Sequence, residues 1–299
     1  MDTMNAPQRQ FCHPEAHSPE PSSAAGGWRV IVAIPARNEG HYIERCLHSV
    51  MASVKAASSR VDTTRIVVVA DSCSDDTAAI ARATLADMQF AAVAECRLGN
   101  IAKVRALGVA AAKADHLPSE LDGRTWIANT DADTVVPSDW ISKQLVLAEA
   151  GATAVAGIVS IDEFPGLPAT AARHFAEHYS NRLTPGGSHP HVHAANLGVR
   201  LDAYDRAGGW GCLPRSEDRD LWTRLQRTGA CLVSTTEISV TTSGRSVGRV
   251  RGGFADWLRA HVAKREQLEY RVSRGPNRGT SRPAAARPAS DRSYRVNPQ

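Results

Sequence analysis

No stretch of this sequence stays apolar over the ~20 residues that a bilayer-spanning helix needs, so no transmembrane segment is expected. The N-terminus has no apolar leader core and instead carries Pro7, Pro14, Pro19 and Pro21, which excludes a secretory signal in the residues given. The six cysteines, at positions 12, 46, 73, 96, 212 and 231, include no Cys-x-x-Cys pair, which argues against zinc ribbons and dithiol redox motifs. Free thiols in a reducing compartment are therefore expected. Also missing are zinc-finger spacings and any interleaving of basic and aromatic residues, and the net charge is only +4, with much of the excess in the C-terminal tail. A nucleic-acid partner is not expected from that balance. What remains is an ordinary globular composition, 42% hydrophobic and 22% charged over 299 residues. A cytoplasmic protein with a well-buried core is the expectation.

Residues 1–27 have no hydrophobic periodicity and residues 272–299 are built from Arg, Pro, Ser and Ala, so both ends are expected to be disordered. The arginines of the tail could touch an anionic membrane surface peripherally, although charge runs are usually just solvated. Between the ends, residues 28–271 read as one α/β domain. The run "RVIVAIPA" (29–36) is continuous and β-branched, as a strand buried on both faces should be. "RIVVVAD" (65–71), "FAAVAEC" (90–96) and "TWIANTD" (125–131) repeat that pattern. Helices are predicted from Glu39 to Lys55, Thr77 to Met88 and Ile101 to Ala114, with Ser74 or Asp75 capping the second. Such alternation implies right-handed βαβ units and a mostly parallel, Rossmann-like central sheet flanked by helices.

Ligands of such sheets bind beyond the carboxyl ends of the strands. Three polar motifs begin where predicted strands stop: "PARNE" (35–39), "DSCSDD" (71–76) and "DADT" (131–134). Pro35 ends a strand because it has no N–H to give, and Asn38 and Glu39 follow it. Asp71 sits at a strand tip, one residue too early to serve merely as a helix cap. Asp131 and Asp133 repel each other unless a cation lies between them. A hard divalent ion suits them, since it binds one or two carboxylates and fills its shell with water and phosphate oxygens. The same string also fits the aspartyl-phosphate nucleophile of haloacid-dehalogenase-type phosphatases, in which Asp131 would attack.

In order and wording these motifs resemble the nucleotide-binding half, here 28–134, of family 2 glycosyltransferases, enzymes with a GT-A fold. "PARNE" matches the family's Pro-x-x-Asn-Glu, "DSCSDDT" its second strand end, and Asp131 and Asp133 its Asp-x-Asp. "VRALGV" (104–109) stands where the family carries Ala-Arg-Asn-x-Gly, with Ala106 in place of Asn. The resemblance implies that Pro35, Arg37, Glu39 and Asp71 hold the nucleoside, that Lys103 or Arg105 approaches the donor, and that Asp131 and Asp133 hold Mn2+ or Mg2+ on its diphosphate.

The second half, 135–271, continues the likeness. "HAANLGVRLDAYDRAGGW" (193–210) is similar to the family's Gly-Ala-Asn segment, with Ala194 for the glycine, and places His193, Asn196 and Trp210 as acceptor candidates. "SEDRDLWTRL" (216–225) is similar to its Glu-Asp motif, in which Leu221 and Leu225 would seat a helix and leave Glu217 and Asp218 at its start. The resemblance makes Asp218 the general base, kept ionised by the helix start, with Glu217 beside it. Arg245, with Arg249 and Arg251, lies on a glycine-rich loop suited to a diphosphate. The implied activity is non-processive, inverting transfer of a sugar from a nucleotide diphosphate, UDP by default, to an acceptor hydroxyl. A phosphatase would need its aspartates after the first core strand and a later lysine. A sugar-nucleotidyltransferase would need a Gly- and Arg-rich loop where "IPARNEGHYIE" stands. The dense "HPHVH" (189–193) and the pair His174 and His178 lack a third ligand at zinc spacing.

Overall fold

The computed structural model of the protein describes residues 26–114, 123–161, 170–245, 256, 259–260 and 262–265. Residues 1–25 and 272–299 of the two expected disordered ends lie outside the described residues, as do Arg249, Arg251 and the side chain of His178. Residues up to Val262 group as one unit, and Ala263–Gln299 as a second of which only 263–265 are described.

The first half follows the predicted alternation. Strand β1 (Trp28–Ala36) runs parallel to β2 (Val61–Asp71) on one side and to β4 (Thr125–Asn129) on the other, and β2 pairs parallel with β3 (Ala91–Cys96). Both faces of β1 are covered, which is why its sequence is apolar without alternation. Val30, Val32 and Ile34 pack with Ile43, Leu47 and Val50 of α1 (Ile43–Ala56), whose apolar residues recur at helical spacing. Ile31 and Ala33 face the other way, toward Val104 and Val109 of α3 (Ile101–Ala114). A Cβ on Gly108 of α3 would lie 3.3 Å from both Ala33 and Val69, so the glycine lets this helix settle against the sheet. Each fully buried side chain of the Leu or Ile class contributes roughly 1.5–3 kcal/mol.

Helix α1 starts at Ile43 rather than at Glu39. The backbone N–H of Glu39 is taken by Thr77 Oγ1 at 2.8 Å, and residues 39–42 form a turn closed by Tyr42 N–H on the Glu39 carbonyl at 2.8 Å. Helix α2 (Thr77–Thr84) ends short of Met88.

The second half departs from a parallel sheet. It runs β5 (Thr134–Val135), α4 (Trp140–Glu149), β6 (Ala154–Ile161), α5 (Ala171–Ser180), β7 (Leu197–Arg200), α6 (Leu201–Arg206), α7 (Glu217–Arg227) and β8 (Leu232–Thr242). The sheet order is β3-β2-β1-β4-β7-β6-β8-β5, with β7 antiparallel to both β4 and β6. Because Asn129 pairs with Leu197, the residues entering β7 lie at the carboxyl end of β4. Strand β8 runs parallel to β6, and Thr242 at its end pairs with Thr134, three residues after Asp131. One edge of the sheet therefore collects the ends of β1, β2, β4 and β8 together with the entry to β7. Among the described residues no helix is long and apolar enough to cross a membrane, and Cys46, Cys73, Cys96, Cys212 and Cys231 are free thiols.

Candidate active site

A cavity of about 820 Å³ opens at that edge. Pro35, Arg37, Glu39, Asp71, Arg105, Asp131, Asp133, His193, Glu217, Asp218 and Arg245 all line it. Sequence positions spread over more than two hundred residues thus meet in one space. Among the described residues, the non-glycine positions in the left-handed backbone region are Asn38, Ser72 and Ser216, with φ of 53°, 55° and 59°. Each adjoins a cavity carboxylate: Glu39, Asp71 or Glu217. Such conformations cost of order 1–3 kcal/mol and collect at functional loops.

The loops after β1 and β2 hold each other. Asn38 Oδ1 accepts Ser74 N–H at 2.7 Å, and Asp75 accepts Gly40 N–H at 3.0 Å through one oxygen and Thr77 N–H at 3.1 Å through the other. Asp75 is therefore a brace between the loops, whereas the N-cap position of the following helix falls on Asp76, whose side chain makes no capping bond, and not on Ser74 or Asp75 as expected. Asp71 accepts Leu98 N–H at 2.7 Å and Gly99 N–H at 3.0 Å, so its carboxylate also fixes the β3–α3 loop.

The carboxylates of Asp131 and Asp133 have different arginine partners. Arg105, fully buried on α3, donates to an oxygen of Asp131 and, at 3.4 Å, to the Thr130 carbonyl, and it lies 3.7 Å from Glu217. Its guanidinium stacks over the Trp210 ring at 5.5 Å. Burial works against its charge, but Asp131 and Glu217 more than restore it. Lys103, the other candidate on this helix, is exposed and is not among the residues that line the cavity. Arg245, just past β8, pairs with Glu39 at 2.8 Å and Asp133 at 3.0 Å. Asp133 is pushed up to about 6 by burial, with Arg245 pulling it down and Asp131 and Glu39 pushing it up.

Helix α7 is seated by Leu221 and Leu225, both fully buried, as its spacing predicts. Asp218 accepts Arg219 N–H at 2.7 Å and Ala194 N–H at 3.3 Å. The helix start was expected to favour the ionised carboxylate, and burial, the largest influence, acts against it and raises the carboxyl above its ordinary value. The same cause raises Glu217, with Arg105 opposing.

Two expected acceptor residues stand behind the cavity wall. Asn196 is buried, accepts Trp140 Nε1–H at 2.9 Å and donates to the carbonyls of Ile158 at 2.8 Å and Ile238 at 3.0 Å. Its amide joins β6 to β8, so its bonding capacity is spent on the sheet. Trp210 is buried as the plate beneath Arg105.

His193 does face the cavity, and so does His191. Tyr179 of α5 stacks on His191 at 3.9 Å between ring centres, and His191 stacks in turn near His193 at 6.1 Å. Burial is the main reason that both rings are pushed down to about 4, so they are neutral at pH 7. Among the described residues no group of three or more His, Cys, Asp or Glu side chains could hold a metal ion. The lining also includes residues that sequence reasoning passed over: Tyr179, Arg182, Arg215 and Arg219. The period-two spacing of His189, His191 and His193 was a usable signal for an extended segment presenting alternate rings. For the arginines no comparable pattern exists.

The fold is shared with solved sugar transferases. The mannosyltransferase PcManGT of Pyrobaculum calidifontis, solved with GDP-Man and Mn2+, superimposes with a TM-score of 0.56 at 19% identity, over 81% of this chain and 65% of that one. A 1–349 fragment of TarS from S. aureus gives a TM-score of 0.52 at 12% identity, over 72% of this chain and 60% of that one. The chain thus spans less than two thirds of the length of either structure. At these identities the likeness is one of fold, and the fold is GT-A, as the resemblance implied. No curated protein sequence matches the chain. The model of glycosyl transferase family 2 matches residues 31–208. That match runs from β1 through both cavity aspartates to the end of α6, and it decides between the readings that the "DADT" string left open: the chain belongs to glycosyl transferase family 2.

Proposed function

We propose that the protein transfers a sugar from a nucleoside-diphosphate donor to an acceptor hydroxyl, with inversion at the anomeric carbon. The observation that carries this reading is the convergence of Asp131 and Asp133 with Asp218 on one cavity at the carboxyl edge of the sheet. The nucleoside would lie against Pro35, Arg37, Glu39 and Asp71, with UDP as the default donor nucleotide.

A divalent cation, Mn2+ or Mg2+, fits the donor set. Asp131 and Asp133 offer hard oxygens, and the buried Asp133 already draws a guanidinium to the spot. A cation there would take one or two protein carboxylates and complete its shell from diphosphate and water. When bound, it would neutralise charge building on the departing diphosphate. PcManGT was solved with such an ion and a nucleotide sugar, which agrees with this reading.

Asp218 is the group placed to take the acceptor proton. Burial raises its carboxyl above the ordinary value, which makes its carboxylate a better base than an ordinary aspartate. Glu217 is committed to Arg105 and acts as a neighbour that positions the helix start. Replacing Asp218 with Asn should cost roughly 100- to 10,000-fold in turnover with nucleotide affinity nearly unchanged. Asp133→Asn should instead abolish the Mn2+-dependent rise in melting temperature produced by a nucleoside diphosphate. Equal nucleotide affinity with and without a chelator would defeat the cation reading, and full activity in Asp218→Asn would move the base elsewhere.

A further inference from the structure

The cavity has two ends, and their charges are arranged differently. Toward the ends of β1, β2 and β4 the lining carries three arginines: Arg105 is engaged by Asp131 and Glu217, Arg245 by Glu39 and Asp133, and Arg37 is exposed beside them. At the other end the lining carries Arg182, just past α5, Arg215, just before α7, and Arg219, in the first turn of α7. All three are exposed, and no carboxylate pairs with any of them among the described residues. The acids nearest in sequence are spent: Glu217 on Arg105, Asp218 on two backbone N–H groups, Asp220 on Arg224 at 2.7 Å.

Solvated arginines are common, so exposure alone means little. Some surface arginines find acids, such as Arg60 with Glu149 at 2.5 Å and Arg173 with Glu177 at 3.2 Å, and others such as Arg97 and Arg227 do not among the described residues, but Arg182, Arg215 and Arg219 differ from these in lining one cavity. Arg182 acts on His191 and Arg219 on His193, whose rings are 6.1 Å apart, so these two like charges face one pair of stacked rings and repel unless an anion joins them. The rings beside them are neutral at pH 7, and the carboxyl that feels Arg219 is Asp218. The stacked rings of Tyr179, His191 and His193 form a flat neutral wall on which a ring or sugar face could lie. Arginine suits carboxylates and phosphates through its forked donors.

We infer that the acceptor is a hydroxyl compound bearing a carboxylate or phosphate, with that anion seated on Arg182, Arg215 and Arg219 and its hydroxyl turned toward Asp218. The inference rests on the proposed transfer. In that reaction the acceptor oxygen bonds to the anomeric carbon as the bond from that carbon to the diphosphate oxygen breaks. The electron pair leaves on the diphosphate, and the hydroxyl proton goes to Asp218. An anchored anion fixes the hydroxyl in line, which a neutral acceptor would have to achieve by weaker contacts.

Two calorimetric titrations separate this inference from the reading beneath it. In the first, UDP and GDP are added with Mn2+, and absence of binding by either would sink the donor assignment on its own. In the second, inorganic phosphate and D-gluconate are added in separate arms, to protein with and without nucleotide, and glucose serves as the uncharged control. Either anion is expected to bind saturably to the nucleotide-loaded protein, more weakly as salt is raised. The Arg182→Gln/Arg219→Gln double variant, with its melting temperature checking the fold, should lose at least about tenfold in that affinity, the size expected for a charge-assisted contact. Binding of phosphate alone or gluconate alone identifies the anion. Anions that bind no better than glucose, or equally well to the double variant, would overturn the inference.

Discussion

Arg105 and Arg219 line the same cavity and meet opposite fates. Arg105 is almost fully buried, held by two carboxylates and stacked on a tryptophan. Arg219 is exposed, and its guanidinium has no carboxylate partner among the described residues. A buried guanidinium is tolerable only when paired, because the cost of removing it from water must be offset by charges and hydrogen bonds in good geometry. An exposed one keeps its hydration and remains free for a ligand. The first kind of arginine holds a site together, and the second recruits what the site works on.

The largest test of this contrast is Arg105→Gln. It would strand Asp131 and Glu217, and breaking a buried pair by removing one partner typically costs about 3–5 kcal/mol. Urea titration should show a loss of that size, whereas Arg215→Gln should stay within about 0.5 kcal/mol of the parent, as exposed substitutions do. Equal losses for the two variants would erase the distinction.

Arg245 lies between these extremes, paired but at the cavity wall. Its guanidinium occupies Asp133 at 3.0 Å, where a cation would need the same oxygens. Arg245→Gln should therefore tighten Mn2+ binding to the nucleotide-free protein by roughly tenfold, since a nearby like charge at an effective dielectric near 20 is worth a few kcal/mol at most. The same change should weaken binding of a nucleoside diphosphate if this arginine also meets the phosphates. Calorimetry of both ligands reads the two effects separately, and unchanged Mn2+ affinity would mean that Arg245 does not compete.

Much of the paired end was legible before any coordinates. The apolar runs ending in Pro35, Asp71 and Asp131 marked strands whose tips face one edge, because a strand buried on both faces announces itself by composition. Helix α3 was read at its observed limits from its alanine-rich pattern. Leu221 and Leu225 correctly implied a seated helix with Glu217 and Asp218 at its head. The later strands were not read. β5 is two residues long, β6 is buried without alternation over its first four residues, and the alternation of β8 breaks at Thr236 and Glu237. Asn196 and Trp210 were expected at the acceptor from the family resemblance of 193–210, but the Asn196 amide bonds the carbonyls of Ile158 and Ile238, and Trp210 is buried beneath Arg105. The choice between Lys103 and Arg105 needed the helix phase, which only packing supplies: Ala102, Val104 and Arg105 are buried while Lys103 is not. Exposed arginines leave no hydrophobic pattern at all, so the unpaired end was invisible in the sequence.

The smallest expected effect uses the histidines between the two ends as reporters of that unpaired charge. His193 is pushed down to about 4, first by burial and then by Arg219 and His189. His191 is likewise pushed down to about 4 by burial, with a further contribution from Arg182. Between about pH 6.5 and 4 the unfolded chain holds protons on these two rings that the folded chain refuses, so stability falls as the solution is acidified. Asp133 acts in the opposite sense. Raised from 3.8 to about 6, it binds a proton in the folded state that the unfolded chain has released, so it adds stability as pH falls from 6 toward 3.8. Asp218 and Glu217, raised as well, act with Asp133, and His189, pushed down by burial, acts with the two rings. Through His191 and His193 the melting temperature should drop between pH 7 and pH 4.5, by an amount on the order of 5 °C if the two together contribute about 1–2 kcal/mol. In His191→Gln/His193→Gln the drop should shrink or change sign, because only Asp133 then titrates among the three. Arg219→Gln removes a cation facing His193 and should lift that ring's midpoint in a proton NMR titration, with His191 moving less. A His193 midpoint indifferent to Arg219 would mean that the guanidinium is screened by water at the mouth, and with it would go the view of that end as a concentrated, unpaired positive charge.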